Sequence, residues 1–281
     1  MKISALIHTR NEEANLADCL KSVAWADEVV VADMASTDRT RAIAQEHQAR
    51  VLEVPVVPYV DLVRNQAVAA CQGDWILVVD ADERIPGELA RRVRTLASAN
   101  QAEVYALPRK NYFLGVWLEH GSWPDYQTRF FRKNAVQWTG LAHEPPRMKG
   151  RFEEFPADPQ AALEHFGDGN DLPRLVQKFT RYSPLDAQRL AAQGHPPIWP
   201  FVLRRPLGEF YGRYITEQAW RHGMHGLVWS LLMAQYQLLV AAQYWAVHQA
   251  ADPTVLSAAQ LRRGVWWELW RCAIKWLRRN R

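Results

Sequence analysis

The fold is decided by one stretch, Asp74-Trp75-Ile76-Leu77-Val78-Val79-Asp80-Ala81-Asp82-Glu83-Arg84-Ile85. The uninterrupted apolar run from Trp75 to Val79 predicts a strand that is buried on both faces, as strands of parallel sheets are. Asp80, Asp82 and Glu83 follow at its carboxyl end, which is where open α/β sheets bind their ligands. We therefore expect an acidic site at the end of a central strand.

Asp80 and Asp82 are the candidate metal ligands in this stretch. Strand alternation places them on the same side, and two neighbouring carboxylates repel each other unless a cation lies between them. Hard oxygen ligands suit Mg²⁺ or Mn²⁺, and such a metal can neutralise a diphosphate leaving group. A strand that simply ends in a solvated acidic turn is the alternative, because Asp-x-Asp alone is a weak motif.

Upstream of this stretch the chain repeats a strand–helix pattern with short connections. The predicted strands cover residues 3–7, 29–32 and 50–54, and the predicted helices begin near residues 16, 39 and 61. This alternation predicts a parallel sheet with right-handed crossovers and a site at the strand ends. Asp33 follows the second strand and Arg64 lies in the third helix, so both are expected at the same edge as Asp80. Each also has an ordinary alternative, as a turn acid or an exposed helix charge.

The composition describes a globular chain of 281 residues, 48% hydrophobic and 23% charged. Three scattered cysteines, Cys19, Cys71 and Cys272, favour a reducing compartment over a disulfide framework or a zinc site. Met1-Lys2 leads directly into the first strand, so no secretory signal is expected. The chain also lacks a Gly-x-Gly-x-x-Gly after that strand and a P-loop pattern, which argues against dinucleotide-binding and P-loop folds.

Four motifs, taken in order, resemble glycosyltransferase family 2. They are Thr9-Arg10-Asn11-Glu12-Glu13, Asp33-Met34-Ala35-Ser36-Thr37-Asp38-Arg39-Thr40, Arg64-Asn65, and Gly73-Asp74-Trp75 leading into Asp80-Ala81-Asp82-Glu83. The resemblance covers about the first 150 residues. It implies the GT-A fold, an α/β architecture with a Rossmann-like, mostly parallel sheet and helices on both faces. One departure is Ala35, where the family often has glycine.

The resemblance also implies site residues and a donor, a nucleotide-diphosphate sugar with a UDP-sugar as the expected case. The expected nucleotide-sugar contacts are Thr9, Asn11, Glu12, Asp33, Arg64, Asp80, Ala81 and His143. Asp80 and Asp82 would handle the diphosphate and its Mg²⁺ or Mn²⁺. His143 is able to ligate a metal or to donate to a diphosphate, and a satisfied histidine in a turn is its alternative.

The branch that the chain most resembles includes lipopolysaccharide-core glucosyltransferases. The matching segments are 124–133, 138–144 and Glu164-His165. The Gln-x-x-Arg-Trp motif of processive synthases is absent, which argues against a processive enzyme. Inversion, which the family implies, requires a general base opposite the leaving diphosphate. Asp125, expected in a polar loop just before a strand, is the first candidate, and Glu144 is the second.

The carboxyl-terminal part differs in composition from the rest. We place a GT-A catalytic domain at residues 1–165 and a helical, membrane-associating region at residues 166–281. From Arg204 to Arg281 there are 11 Lys/Arg against 4 Asp/Glu, and 7 of the 13 tryptophans. The uncharged segment 226–247 is long enough to span a bilayer, but its glutamines favour a buried or membrane-surface helix.

The last segment predicts an amphipathic helix that binds an anionic membrane. Its apolar stripe includes Trp266 and Trp270, and its basic side includes Arg271, Lys275 and Arg278. An oligomer contact or a core helix with a solvated basic side is the alternative. Nucleic acid is not an expected partner, because nearly all the basicity lies on this one helix.

These observations together predict an inverting, metal-dependent glycosyltransferase. We expect a cytoplasmic enzyme, peripheral on the inner face of the cytoplasmic membrane, that transfers one sugar to a glycolipid such as lipopolysaccharide core. The alternatives are a sugar-phosphate nucleotidyltransferase, which would normally open with a glycine-rich phosphate loop, and a non-catalytic membrane-binding adaptor, against which the acids Asp80 and Asp82 argue.

Overall fold

The computed structural model describes residues 1–139, 146–193 and 199–249, together with residues 263, 266, 267 and 270. The chain forms two compact units. The first comprises residues 1–112 and 123–167, and the second comprises residues 113–122 and 168–281. The sequence-based domains, 1–165 and 166–281, stay a prediction.

The strands and helices alternate through the first half of the chain, as the sequence predicts. In chain order the strands are β1 Ile3–Thr9, β2 Glu28–Asp33, β3 Arg50–Glu53, β4 Trp75–Asp80, β5 Glu83–Arg84, β6 Val104–Phe113, β7 Val116–Trp117, β8 Asp125–Arg132, β9 Val136–Gln137, β10 Arg147–Met148, β11 Phe152–Glu154 and β12 Leu163–His165. The helices are α1 Leu16–Val23, α2 Thr40–Glu46, α3 Asp61–Ala70, α4 Gly87–Ala99, α5 Leu172–Ala192, α6 Trp199–Phe210 and α7 Gly223–Gln249. Helix α4 was not among the sequence predictions.

The main sheet has the strand order β3-β2-β1-β4-β8-β6-β12-β5. The first four strands run parallel, with Thr9 beside Asp33 and His8 beside Asp80. Strand β8 then runs antiparallel to both β4 and β6. The sheet is therefore mixed: the parallel half carries the strand–helix repeat, and the antiparallel half adds β8.

Two hydrophobic cores cover the two faces of the parallel half. Residues of β1 and β4 alternate between them: Ile7 and Leu77 pack with helices α1 and α4, whereas Leu6 and Val78 pack with helix α3. Burial on both faces explains why these strands have uninterrupted apolar sequences. The predicted α/β architecture with helices on both faces is confirmed.

Helix α7 is the longest helix of the second unit and contains no Asp, Glu, Lys or Arg. One side of it packs against a buried cluster formed by Phe113, Leu118, Leu175 and Phe179. Within the described residues, no helix combines the length and the apolarity that a membrane crossing requires.

Candidate active site

The carboxyl ends of β1, β2 and β4 meet at one edge of the sheet. This edge carries the predicted residues Thr9, Asp33 and Asp80, because the register sets Thr9 opposite Asp33 and places His8 opposite Asp80. Parallel strands that end together bring side chains 70 residues apart in sequence into one cluster. The candidate active site is built on this edge.

Asp33 is fully buried and is held by its own loop. Its carboxylate accepts hydrogen bonds from the backbone N–H of Ser36 at 3.2 Å and from the Ser36 hydroxyl, and it pairs with Arg41 Nε at 2.6 Å. Ala35 takes a left-handed conformation in this turn, with a φ of 50°. This backbone requirement explains why glycine is frequent at the equivalent position of the family.

The two loops that follow β1 and β2 are bonded to each other. The backbone N–H of Asn11 donates to Ser36 Oγ at 2.9 Å, and Asn11 Oδ1 accepts from the backbone of Thr37 at 2.8 Å. The backbone N–H of Glu12 donates to Thr40 Oγ1 at 2.9 Å. The Asn11 side chain and the backbone N–H groups of Asn11 and Glu12 therefore hold the two loops together, and Asn11 itself has a φ of 55°.

Arg64 lies on α3 and is largely buried. Its Nε lies 2.9 Å from Asp61 Oδ1, and its guanidinium lies over the Trp138 ring at 5.4 Å. Asn65 fixes that ring, since its side chain bonds both the N–H and the C=O of Trp138, at 3.0 and 2.7 Å. Burial lowers the pKa of Arg64 from its ordinary value. The contact between Nε and Asp61 is an ion pair, and its geometry is not that of a hydrogen bond.

His8 is a residue of this edge that the sequence argument missed. It is 6% exposed, and in the described structure neither ring nitrogen has a hydrogen-bond partner. Burial, reinforced by the charge of Arg64, lowers its pKa to about 3, so the ring is neutral at physiological pH. Thr9 Oγ1 beside it is also buried and unbonded. Unsatisfied buried polar atoms next to Arg64 are what a ligand pocket leaves open before its ligand binds.

Asp80 is paired with an arginine. Arg129, on β8, donates to Asp80 through Nη1 and Nη2 and to Glu83 Oε1 at 2.8 Å. Burial alone would raise the pKa of Asp80, but the guanidinium groups of Arg129 and Arg64 hold it well below its usual range. Arg129 is only 4% exposed, whereas the Asp80 side chain is 32% exposed. Neither a role for Arg129 nor its bond with Asp80 was among the sequence predictions.

Asp82 faces a different partner. Its Oδ2 lies 3.4 Å from His165 Nε2. The backbone N–H of Phe166 donates to the carbonyl of Asp82 at 2.9 Å, which fixes the turn after β12 against this residue. The lack of a side chain at Gly167 makes room for both groups, because a Cβ there would lie 2.4 Å from His165 Nε2 and 3.0 Å from Asp82 Oδ2.

The donor chemistry of this pair fits a divalent metal. A carboxylate oxygen and an imidazole nitrogen are both ligands that Mn²⁺ accepts, and Asp82 and His165 are each about one-fifth exposed. Asp80 is not part of the pair, since Arg129 holds its carboxylate. Among the described residues no group of three or more His, Cys, Asp or Glu is arranged to hold a metal by itself. A metal here would take its remaining ligands from phosphate and water.

Asp125 does not lie in a loop, as the sequence suggested, but is the first residue of β8. The ladder extends to it because it pairs across the strands with Arg109. Arg109 donates to Asp125 Oδ2 at 2.7 and 2.9 Å, Asn111 donates to the same oxygen at 3.0 Å, and Gln127 donates to Oδ1 at 2.7 Å. Burial would raise the pKa of Asp125, but Arg109 and these hydrogen bonds lower it.

The other predicted residues fall into three groups. Ala81 is 3% exposed and its methyl group lies in the core, so only its backbone is available to a ligand. Trp266 and Trp270 are helical and more than half exposed. The remainder lie outside the described residues: His143, Glu144, Arg271, Lys275 and Arg278.

The model of glycosyl transferase family 2 matches residues 4–155, which include the whole parallel half of the sheet. An uncharacterized glycosyltransferase of Rickettsia felis is 40% identical over 256 residues, covering 86% of this chain and 89% of the relative. The lipopolysaccharide core biosynthesis glycosyltransferase LpsC of Rhizobium meliloti is 24% identical, covering 88% of this chain and 93% of LpsC. Among solved structures, Staphylococcus aureus TarS 1-349 in complex with UDP is similar, with a TM-score of 0.47, 16% identity, and coverage of 92% of this chain and 93% of TarS.

The family match over residues 4–155 and the Rickettsia felis relative define the chain as a glycosyltransferase. The chain belongs to glycosyltransferase family 2, because the family model matches more than half of it and the Rickettsia felis relative is similar over most of its length. The family predicted from the four sequence motifs is therefore confirmed.

Proposed function

We propose that this enzyme transfers one sugar, with inversion, from a nucleotide-diphosphate sugar to a membrane-associated glycolipid such as lipopolysaccharide core. The observation that carries the proposal is the sheet edge itself, where a buried aspartate on β2, a buried arginine on α3 and the Asp80-Ala81-Asp82 motif come together. The name of the relative LpsC supports the choice of acceptor.

The donor nucleotide would lie over the ends of β1 and β2. Thr9 offers a hydroxyl with no hydrogen bond among the described residues, Asp33 offers a carboxylate, and Arg64 offers a guanidinium group. A pyrimidine and its ribose present complementary donors and acceptors, so a UDP-sugar is the proposed donor. Neutral His8 would lie against the same ligand, with one nitrogen that donates and one that accepts.

A Mg²⁺ or Mn²⁺ ion would be held by Asp82 and His165. When bound, such an ion neutralises charge that develops on the leaving diphosphate. The protein's contribution is to hold the two ligands together, which the Phe166–Asp82 backbone bond and the absence of a side chain at Gly167 make possible. Asp80, which the sequence also predicted as a metal ligand, serves in this proposal as the partner of Arg129 on the donor side.

The environment of Asp125 bears on its predicted role as the general base. Asp125 accepts hydrogen bonds from Arg109, Asn111 and Gln127, and these bonds favour its anion over its protonated form. A carboxylate with a lowered pKa is a weak base. Comparison of Asp125→Asn and Glu144→Gln separates the roles: the base variant loses transfer but still binds the donor.

The acceptor's membrane would be contacted by the second unit. On α7, Met224, Leu231, Leu238 and Trp245 are spaced seven residues apart and are 67%, 51%, 44% and 42% exposed. Seven residues is about two helical turns, so they form one exposed apolar stripe, here called the α7 stripe. Trp266, Trp267 and Trp270 are exposed as well. Apolar stripes with tryptophan, in a basic part of the chain, suit the cytoplasmic face of an anionic membrane.

The experiment is a transfer assay with purified full-length protein, a panel of UDP-sugars and a lipopolysaccharide-core acceptor, with and without Mn²⁺. We expect release of UDP that depends on acceptor and metal, and Asp82→Asn should lower turnover by orders of magnitude. Asp18→Asn, an exposed acid on α1, is the matched control. Formation of a UDP-sugar from UTP and a sugar phosphate would instead establish a nucleotidyltransferase, and failure with every donor would leave the adaptor alternative.

A further inference from the structure

Glu83 is a fully buried acid that none of the steps above uses. It begins β5, and its side chain is 0% exposed. Both carboxylate oxygens are engaged: Oε2 accepts from the backbone N–H of Asp80 at 3.0 Å, and Oε1 accepts from Arg129 at 2.8 Å and from Arg109 at 3.0 Å. A buried carboxylate shared by two arginines is costly to assemble, and removal of any one partner leaves a buried charge uncompensated.

The two arginines lead to different parts of the candidate site. Arg129 contacts both Glu83 and Asp80, which lies at the donor edge. Arg109 contacts both Glu83 and Asp125, which lies on β8. The result is an uninterrupted chain of charged contacts, Asp80–Arg129–Glu83–Arg109–Asp125, here called the five-residue relay. All five residues belong to the first unit.

We propose that Glu83 is a positioning residue that couples the donor carboxylate Asp80 to the β8 carboxylate Asp125. The proposal rests on the proposed function, which places the donor at Asp80. Glu83 touches neither substrate in this scheme and acts through the two arginines.

The coupling follows from the charges. When a hydroxyl group of the donor donates a hydrogen bond to Asp80 and draws it from Arg129, this arginine would lose its first counter-ion while remaining 4% exposed, and an unpaired buried guanidinium is strongly disfavoured. Glu83 remains as a second counter-ion, so Asp80 is able to change partners while Arg129 stays in place. Because one Glu83 oxygen serves both arginines, a tighter contact with Arg129 alters its contact with Arg109, and hence the hold of Arg109 on Asp125.

The test is a double-mutant cycle of Asp80→Asn and Asp125→Asn, measured both as UDP affinity by calorimetry and as kcat/KM. In the native background the two effects should be non-additive by about tenfold, as expected for groups in one ion-pair network. In a Glu83→Gln background the same cycle should become additive. Additive effects in the native background would overturn the proposal, whether or not any Glu83 variant folds.

Two further variants separate coupling from simple stability. Glu88→Gln removes an acid that also pairs with two arginines, Arg91 and Arg92, but on the surface of α4, so the Asp80–Asp125 coupling should be unchanged. Arg109→Lys keeps the charge and loses the fork, and should weaken the coupling while donor binding persists. Non-additivity that survives in Glu83→Gln would refute the relay. Absence of transfer by the native enzyme, with coupled UDP binding intact, would refute the proposed acceptor alone.

Discussion

Gly167→Ala offers a sharp test of the proposed metal site. A Cβ at this position would lie 2.4 Å from His165 Nε2, 2.8 Å from His165 Cε1 and 3.0 Å from Asp82 Oδ2, whereas ordinary contacts begin at 3.4 Å. The imidazole must therefore move by about 1 Å, since the backbone of Gly167 is fixed by the neighbouring turn. That movement takes Nε2 away from Asp82, the residue with which it would share the ion.

The expected magnitudes differ for stability and for metal binding. The colliding atoms are side-chain ends that are able to rotate, so the cost to the free energy of unfolding should stay at the low end of overpacking, about 1 kcal/mol. Displacement of one of two protein ligands should weaken Mn²⁺ binding by about 10–100-fold, the range found when the support of a metal ligand is lost.

The assay is a Mn²⁺ titration, followed by calorimetry in the presence of UDP and by the metal concentration that gives half-maximal transfer. Gly87→Ala is the matched control, because a Cβ at Gly87 meets nothing within 4 Å. Native Mn²⁺ affinity in a folded Gly167→Ala protein would refute the assignment of His165 and Asp82. An equal loss in Gly87→Ala would show that the effect is not local.

Three further predictions concern the other parts of the chain. Ala35→Gly should raise the free energy of unfolding by about 1 kcal/mol, because Ala35 has a φ of 50°; thermal denaturation measures this, and an unchanged or lower Tm would contradict it. Arg64→Ala should weaken UDP binding by about 1–3 kcal/mol through loss of a charged donor, and unchanged calorimetric affinity would exclude Arg64 from the nucleotide pocket. Leu231→Glu should lower binding to anionic vesicles by about tenfold or more, since this exposed leucine of the α7 stripe would no longer enter the lipid. The control variant Ser98→Glu, on α4, should not lower the binding. Equal binding of the two variants in co-sedimentation would show that α7 does not contact the membrane.

The parallel half of the fold was predictable because the burial of each strand determines its own local sequence pattern. Strands β1 and β4 are buried on both faces, so their sequences are uninterrupted apolar runs, and each is followed directly by the polar residues of the sheet edge. Asp33 and Asp80 could be placed at one edge for the same reason: parallel strands all end on the same side. The antiparallel β8 could be expected as a strand, but its position between β4 and β6 depends on contacts between distant segments.

The pairing of charges was not predictable in this way. Arg129 lies 49 residues from Asp80 and 46 from Glu83, and nothing in the local sequence distinguishes it from Arg132, which bonds Asn100 on the surface. Likewise, His165 follows Asp82 by more than 80 residues, and only the β12–β5 pairing brings them together. The environment of His8 was not predictable either, because no sequence pattern shows whether the ring of a histidine near the end of a strand is hydrogen-bonded.

These pairings distinguish the two aspartates of the Asp80-Ala81-Asp82 motif. From the sequence the two aspartates are equivalent and both are expected on the metal, but the structure gives each a different neighbour. Asp80 is neutralised by Arg129, so a metal that took both carboxylates would first have to separate Asp80 from a buried arginine. Asp82 faces the imidazole of His165, and a neutral imidazole is able to bind a metal through its unprotonated nitrogen. This difference is why we propose the metal at Asp82 and His165 and assign Asp80 to Arg129.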